Sequence, residues 1–409
     1  MVAFDQVNAA FLTWLHDNGA KVSASIALQD YSEEGAGRGV IASSDIKKNE
    51  ELFSIPRHLL LSPLTSELSK KIDLSSMEGW NPLMLCMIYE YCRGSDSLWK
   101  PYFDILPTEF STPMFWSEEE LLELKGTGAI DKIGKQEAEA AFHEKLWPVI
   151  SDNGALFTSS PGNNSEPDLD PKKDNAISTF IQIFHRMGSL IMAYAFHDTA
   201  PSTDKEEGGD MDEEMDDDDE DEEKINVSMV PMADMLNHKT GHNNARLFHE
   251  KECLRMVAIA NIQAGQQIYN TYGELCNADL LRKYGFVDVP NPHNIAEISG
   301  ELVINKFTQQ DEAGKDEKVE WLLEYDGLEE YFILEADGEI PEELIGCAKI
   351  LMMPLDEFKE TVVKNKKIPN TKLTVEVQKG LRELLESKLA TYPSTAKVDL
   401  NCENKHHVS

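Results

Sequence analysis

The 409-residue chain is 41% hydrophobic, which provides enough apolar sequence for two or three domains with cores and excludes wholesale disorder. Its formal net charge of −36 opposes nonspecific nucleic-acid binding, so we expect no direct nucleic-acid contact and a basic partner instead. No apolar run approaches the roughly 20 residues that span a bilayer, and the N-terminus has no signal-peptide pattern. We therefore expect no membrane association and residence in the cytosol or the nucleus.

The first half of the chain is predicted to begin with a helix over 4–17, where apolar residues recur at helical spacing. A β segment follows from about 24 to 62, and helical spacing returns from 64 to about 150. Within that helical region, Ser117 followed by Glu120 forms a capping-box pattern, which predicts the start of a helix.

The second half is predicted to alternate in the same way. A surface loop rich in Pro, Gly, Asn and Asp precedes a strong helix, and a second β segment precedes another helix. Beyond 294 we expect two short strands and then three helices. The predicted ranges are 151–175 for the loop, 176–197 for the helix, 226–273 for the β segment, a helix from 277, and 341–352, 355–365 and 372–391 for the last helices.

The negative charge is concentrated in one tract. Residues 204–223 hold fifteen Asp or Glu against a single Lys, so this tract contributes −14 and the rest of the chain −22. Such a block repels itself and predicts a disordered, solvated loop. Two roles stay open: a surface loop without a specific role, and an electrostatic attraction for a highly basic substrate.

The six cysteines indicate neither a zinc site nor a disulfide framework, because no pair of them is separated by the two residues typical of zinc sites. We therefore expect reduced thiols and no bound metal. These cysteines are Cys86, Cys92, Cys253, Cys276, Cys347 and Cys402.

Two distant segments share one pattern. Residues 39–56 and 254–272 each contain an apolar run, a polar turn and a second alternating run, so each is predicted to form a β-hairpin. Both hairpins are expected to belong to one β core, although nearly 200 mostly helical residues separate them.

The sequence GAGRG at 35–39 has two possible interpretations besides an ordinary glycine turn. A dinucleotide-binding loop needs a following helix, and a strand-like run follows instead, so we reject that interpretation. Glycines also let the backbone approach a ligand closely.

The segment 231–286 carries the most informative motifs. PMADMLNH contains Asn237 and His238, and IYNTYGELCNADLLRKYGF contains Tyr269, Tyr272 and Tyr284. An isolated Asn-His pair is more often structural, and a tyrosine near a strand end often belongs to a core. Only Glu274 adds an acidic group close to NTYG in the sequence.

These motifs, together with MAYAFH at 192–197, resemble those of SET-domain protein lysine methyltransferases of the Rubisco large-subunit and ribosomal type. The resemblance implies an α+β fold: a SET-domain β-core of small antiparallel sheets with a helical insertion, plus a mostly helical C-terminal substrate-binding domain. It also implies that the chain threads through one of its own loops. The implied regions are 1–63 for the N-terminal helix and first SET half, 64–225 for the insertion, 226–293 for the second SET half, and 294–400 for the C-terminal domain.

The resemblance also implies roles for individual residues, with S-adenosyl-L-methionine as the cofactor. Tyr272 would be catalytic. The residues implied to bind the cofactor are Ala36, Gly37, Arg38, Tyr194, Asn237, His238 and Tyr284, and those implied to bind the substrate are Ala195, His197, Tyr269 and Phe286.

The implied activity is monomethylation of a lysine in a basic large-subunit ribosomal protein, by a monomeric enzyme in the nucleus or the cytoplasm, with the nucleus favoured. Two alternatives stay open. The substrate could be a histone or a signalling protein, or the chain could be a noncatalytic binder that escorts a basic protein.

Overall fold

The computed structural model describes residues 4–159, 169–197, 227–308 and 314–394, so the acidic tract at 204–223 lies outside the described residues. The strands are β1 (Lys21–Val22), β2 (Ile26–Tyr31), β3 (Gly37–Ala42), β4 (Glu51–Pro56), β5 (Ala195–His197), β6 (Val227–Met229), β7 (Asn237–His238), β8 (Ala245–His249), β9 (Cys253–Ala258), β10 (Gln267–Asn270), β11 (Ala296–Ser299) and β12 (Tyr331–Leu334).

The α-helices lie mainly between the β segments and after them. They are α1 (Phe4–Asp17), α2 (Asn81–Arg93), α3 (Lys100–Ile105), α4 (Glu118–Leu121), α5 (Lys135–Ala141), α6 (Trp147–Asp152), α7 (Ala176–Tyr194), α8 (Asn277–Tyr284), α9 (Gly300–Phe307), α10 (Lys315–Glu324), α11 (Glu342–Met352), α12 (Leu355–Glu357) and α13 (Val375–Leu389). In the described part of the chain, no helix has the length and apolar character needed to cross a membrane.

Within the described ranges the strands form four small sheets, which confirms the predicted fold class. One four-stranded sheet has the order β1-β4-β9-β8 and is antiparallel. The other has the order β2-β3-β10-β7, in which only β7 and β10 run parallel. The pairs β5-β6 and β11-β12 complete the set.

The two predicted hairpins are wrong, although their strands exist. The segments 39–56 and 254–272 pair with each other instead: β3 lies beside β10 and β4 lies beside β9, both antiparallel. A bridge between Ile46 and Ile262 joins the turns. Alternation in a sequence shows which residues face the core, but it does not show which strand is the partner. Each segment therefore contributes one strand to each of the two four-stranded sheets.

The helix predicted over 176–197 ends three residues early. α7 stops at Tyr194, and Ala195–His197 pair as a strand with Val227–Met229. The apolar period continues through these residues, so the pattern alone could not show the change from helix to strand. The predicted capping box is confirmed, since the Glu120 amide donates to Ser117 Oγ and the Ser117 amide to Glu120 Oε2.

Buried apolar side chains form two clusters in the described residues. The first draws on α1, the sheets before 270, and helices α2, α3 and α7. The second surrounds β11 and β12 and is built by α9, α10, α11 and α13. The predicted C-terminal helices are confirmed as α11 and α13, with α12 extended by a π-helix over Phe358–Val363. Helices α9 and α10 were not predicted.

Candidate active site

The Asn-His pair lies at the centre of the candidate site. Asn237 and His238 form β7, which pairs in parallel with Tyr269 and Asn270 of β10. His238 Nδ1 accepts a hydrogen bond from the Tyr272 amide at 3.1 Å. His238 and Tyr272 are 34 residues apart in the sequence, and this hydrogen bond joins their two motifs.

Three aromatic rings, those of Tyr272, Tyr284 and Phe286, cluster beside this pair. The Tyr272 ring lies between His238, with ring centroids 5.1 Å apart, and Tyr284, with centroids 4.4 Å apart. Phe286 contacts both His238 and Tyr284, with centroids 6.4 and 6.2 Å away. Tyr272 Oη donates to the Leu236 carbonyl at 3.0 Å. The Tyr272 hydroxyl is therefore fixed by a hydrogen bond at its tip and by stacking on both faces.

The tyrosine hydroxyls of the site stay neutral near pH 7. Burial is the main cause that raises the pKa of Tyr194 to about 12 and the pKa of Tyr272 and Tyr284 well above the ordinary value of 10.0. A neutral phenol both donates and accepts hydrogen bonds. Because Tyr272 already donates to Leu236, its oxygen lone pairs are what it can offer to a ligand.

Arg38 connects the glycine loop to this cluster. Its Nε donates to Asn8 Oδ1 at 2.9 Å and its Nη1 to the Ile105 carbonyl at 2.6 Å. Burial lowers the pKa of Arg38, and Asp30 and Asp234 are among the neighbouring groups that oppose this shift. The Arg38 side chain therefore links the glycine loop to α1 and α3.

The glycine loop has the backbone that close approach to a ligand requires. Gly37 has φ of +62°, and a Cβ added there would meet nothing within 4 Å. A Cβ on Gly39 would lie 2.7 Å from Asn237 Nδ2. β3 begins at Gly37, which confirms that a strand follows the loop. Ala36 is exposed, whereas Gly39 is buried against Asn237.

The predicted substrate residues fall in three places. Phe286 lies in the aromatic stack. Ala195 and His197 lie on one face of β5, directly after Tyr194. Tyr269 lies on β10 opposite Asn237, and burial is the main cause that raises its pKa above the ordinary 10.0. Tyr269 therefore lies next to the Asn-His pair in the sheet.

Asp234 and Tyr102 form a buried pair that the motifs did not predict. Asp234 is only 6% exposed, and Tyr102 Oη donates to its Oδ2. Burial raises the pKa of the Asp234 carboxyl from 3.8 to about 7, against the opposing hydrogen bonds and the charge of Arg38. The sequence signal was a single acidic residue in the apolar run VPMADML.

This pair corrects the expectation about acidic groups near NTYG. Glu274, the acidic residue nearest in sequence, has an 81% exposed side chain and points toward His293 at 3.8 Å. Asp234 is distant in sequence, yet its charge helps to raise the pKa of Tyr272. Its partial protonation near pH 7 limits the negative charge that the site carries.

The Asp234 carboxyl gives a testable pH dependence of stability. The pKa of Asp234 in the folded chain, about 7, exceeds the ordinary 3.8. The contribution of this carboxyl to the free energy of unfolding is therefore fully present below pH 3.8 and is lost as the pH rises through 7. Asp234→Asn does not ionise and keeps an acceptor for Tyr102. We therefore expect the variant to gain stability relative to the natural chain between pH 5 and pH 8, by about 2–3 kcal/mol.

Urea unfolding at the two pH values measures this gain. Asp356→Asn, at an exposed position, is the matched control and should show no comparable change. An equal stability difference at pH 5 and pH 8 for Asp234→Asn would contradict the assigned ionisation.

Comparison with known proteins shows the family to which these site residues belong. Residues 37–273 match the SET domain family. The chain is 32% identical to an N-lysine methyltransferase of Xenopus laevis, over 86% of this chain and 74% of that protein. It is 33% identical to ribosomal lysine N-methyltransferase 4 of Saccharomyces cerevisiae, over 70% of this chain and 56% of that protein.

A solved structure shares the fold. Rubisco LSMT bound to AdoMet superposes with a TM-score of 0.67 at 22% identity, covering 96% of this chain and 84% of that one. The matched range begins at Gly37 of the glycine loop and ends at Gly273, directly after Tyr272. The predicted resemblance is thus confirmed, and because the match covers more than half of the sequence and includes the Asn-His pair, the chain belongs to the SET domain family.

Proposed function

We propose that this chain transfers a methyl group from S-adenosyl-L-methionine to the side-chain amine of a lysine in a basic protein. The observation that carries the proposal is Tyr272, whose hydroxyl is fixed on the Leu236 carbonyl beside the Asn237-His238 strand. The relatives from Xenopus laevis and Saccharomyces cerevisiae are both named as lysine methyltransferases.

The residues around Asn237 fit a ligand of this chemistry. Asn237 Nδ2 is buried and has no hydrogen-bond partner among the residues that the structure describes. A buried donor without a partner costs about 1–3 kcal/mol, so a carboxylate or another acceptor would be favourable there. The open space beside Gly37 leaves room for such a ligand. We assign Asn237, His238, Arg38, Tyr194 and Tyr284 to the cofactor side.

Methyl transfer to an amine is an in-line displacement, in which the enzyme mainly aligns two reactants. When bound, S-adenosylmethionine supplies a methyl group on a positively charged sulfonium. Both faces of the Tyr272 ring are covered by His238 and Tyr284, so its hydroxyl oxygen, which carries partial negative charge, is the part of this side chain that suits a neighbouring cation. Neutral phenols attract that charge less strongly than carboxylates would, so they do not overstabilise the state before transfer.

The substrate amine has to be neutral to attack. A lysine with an ordinary pKa near 10.4 loses its proton at neutral pH at a cost of roughly 4–5 kcal/mol. A narrow, buried channel lowers this cost because burial disfavours the ammonium form. The Tyr272 oxygen, with its proton committed to Leu236, can then accept a hydrogen bond from the neutral amine and orient it.

We further propose that the substrate is a large-subunit ribosomal protein and that one methyl group is added. The negative charge of the chain supports a basic substrate, and the name of the Saccharomyces cerevisiae relative supports a ribosomal one. A histone or a signalling protein is the alternative within the same chemistry. Ala195, His197, Tyr269 and Phe286 are the residues that we assign to the substrate side.

Labelled methyl transfer tests this proposal. Purified chain and radiolabelled S-adenosylmethionine are incubated in parallel with large-subunit ribosomal proteins and with core histones. We expect label in one small basic ribosomal protein and none in the histones. Label in histones alone would overturn the ribosomal assignment. Cofactor binding without transfer to either set, while the proteins are retained on the immobilised chain, would favour a noncatalytic binder.

A further inference from the structure

Asp288 lies on the segment that follows the aromatic cluster, outside the motifs from which the site is predicted. It stands two residues after Phe286 and is half-buried. Asn277, the first residue of α8, bonds to both polar groups of its backbone. Asn277 Nδ2 donates to the Asp288 carbonyl at 3.0 Å, and the Asp288 amide donates to Asn277 Oδ1 at 3.1 Å. The helix that carries Tyr284 therefore sets the position of Asp288.

The Asp288 carboxylate binds the loop that follows the Asn-His strand. Its Oδ2 accepts a hydrogen bond from the Thr240 amide at 2.7 Å, a short distance that is typical of an ionised acceptor. Burial opposes ionisation, but hydrogen bonds from Thr240 outweigh it and hold the pKa of Asp288 below the ordinary 3.8. The carboxyl is therefore negatively charged near pH 7, and it anchors a residue two positions after His238.

Thr240 in turn contacts the imidazole of His238. Its Oγ1 lies 3.4 Å from His238 Nε2. Because His238 Nδ1 accepts from the Tyr272 amide at 3.1 Å, the proton of the neutral ring is on Nε2, where the Thr240 oxygen can accept it. A bond to one ring nitrogen of a histidine fixes the role of the other nitrogen. One path of hydrogen bonds therefore runs from the Asp288 carboxylate, through Thr240 and the imidazole, to the amide of Tyr272.

We propose that Asp288 is a positioning residue for methyl transfer, acting through Thr240 to hold the imidazole on the Tyr272 amide. By favouring the proton on Nε2 of His238, it keeps Nδ1 available as an acceptor and so keeps the Tyr272 backbone and hydroxyl in place. Misplacement of a reacting group by about 1 Å can reduce a rate about 100-fold. The role in transfer rests on the proposed function, whereas the effect on the Tyr272 amide does not.

Two titratable groups on the segment after α8 act on His238. Burial is the main cause that lowers the pKa of His238, the charge of Asp288 opposes this shift, and the charge of His293 adds to it. The Tyr272 hydroxyl, on the ring stacked against His238, stays neutral. Protonation of His238 places a proton on Nδ1, which then no longer accepts from the Tyr272 amide. We therefore expect this bond to break on acidification, at a pH that depends on Asp288 and His293.

The Tyr272 amide reports on this path without any methyl transfer. The full chain is labelled at the backbone nitrogens of its eleven tyrosines, and the magnetic resonance signal that is absent from Tyr272→Phe is assigned to this amide. We expect the signal to shift on acidification with one midpoint. Asp288→Asn keeps an acceptor for the Thr240 amide but removes the charge, so the midpoint should move to lower pH. His293→Gln should move it to higher pH, because a positive charge is lost.

Methyl-transfer kinetics test the consequence for the reaction. Asp288→Ala removes the acceptor and should lower kcat by about 10–100-fold, while the cofactor Kd changes by less than about threefold. Asp288→Asn should recover most of kcat near pH 7. Asp73→Ala is the matched control, because the exposed Asp73 carboxylate also accepts from a backbone amide, that of Ser75 at 3.0 Å. Thermal unfolding checks that each variant is folded, and if Asp288→Ala is not, the midpoint in Asp288→Asn is decisive.

The outcomes separate the positioning role from the proposed function. Equal midpoints in Asp288→Asn and the natural chain would overturn the positioning role, and so would an Asp288→Ala enzyme with the natural kcat. If the natural chain methylates lysine in either case, the proposed function still stands. If the midpoint moves as expected but the natural chain transfers no methyl group, the proposed function fails and the path from Asp288 to the Tyr272 amide stands.

Discussion

Tyr272→Phe is expected to reduce kcat by about 10²–10³ while the cofactor Kd changes by less than about threefold. The substitution removes only the hydroxyl, so the ring can still stack between His238 and Tyr284. What is lost is the oxygen that is fixed on the Leu236 carbonyl and positioned to orient the substrate amine. Single-turnover methyl transfer and calorimetric cofactor titration measure the two quantities separately.

A matched control separates this effect from a general loss of stability. Tyr325→Phe removes a hydroxyl from a tyrosine that stacks on Trp321 in the C-terminal cluster, and it should leave kcat unchanged. Thermal unfolding of both variants checks that each remains folded at the assay temperature. A Tyr272→Phe enzyme with the kcat of the natural chain would show that the hydroxyl plays no part in the transfer.

Asn237→Asp should weaken cofactor binding by about 100-fold. The change keeps the shape of the side chain but replaces the buried Nδ2 donor with an oxygen that accepts only. An anionic oxygen at that position would also repel a ligand carboxylate, and a close buried like-charge pair costs several kcal/mol. Isothermal titration with S-adenosylmethionine measures the loss.

The comparison for this variant is Asn365→Asp on the exposed surface of the C-terminal region, where the side-chain amide donates to the Thr361 carbonyl. It adds the same negative charge to the chain without altering the candidate site. If Asn237→Asp and Asn365→Asp have the same cofactor Kd, the amide of Asn237 is not a ligand of the cofactor.

The motifs from which the sequence predicts the candidate site are local. Asn237-His238 and Tyr272 are each held by short segments whose strand and turn patterns are visible in the sequence, and the structure brings both together with Tyr284 and Phe286. Arg38 was predicted from the glycine loop and lies near Tyr194 and Asp234. Their roles in binding and catalysis remain predictions that the variants test.

The sequence could not predict what depends on long-range contacts. Tyr102 and Asp234 are 132 residues apart, and nothing local in WKPYFDILP or VPMADML indicates that one hydroxyl meets the other's carboxylate. The false hairpins have the same origin. The turns after β3 and β9 look like hairpin turns, but pairing between 39–56 and 254–272 is favoured because it completes two buried sheets rather than two isolated ribbons.

The missed helices have a different origin. α9 is only eight residues long, and α10 begins with a charged turn containing Lys315, Asp316 and Glu317, so neither has a long apolar period. Their apolar side chains, including Val303 and Trp321, are buried against α11 and α13. Tertiary packing, rather than intrinsic helix preference, therefore stabilises these short helices.

The most direct test of the account is the chemical identity of the transferred label. The natural chain is incubated with labelled S-adenosylmethionine and its protein substrate, the product is hydrolysed completely, and the amino acids are separated. We predict that the label elutes as Nε-monomethyllysine and that Tyr272→Phe reduces it by at least about 100-fold. Label recovered as methylarginine, or in any amino acid other than a methylated lysine, would contradict the central claim.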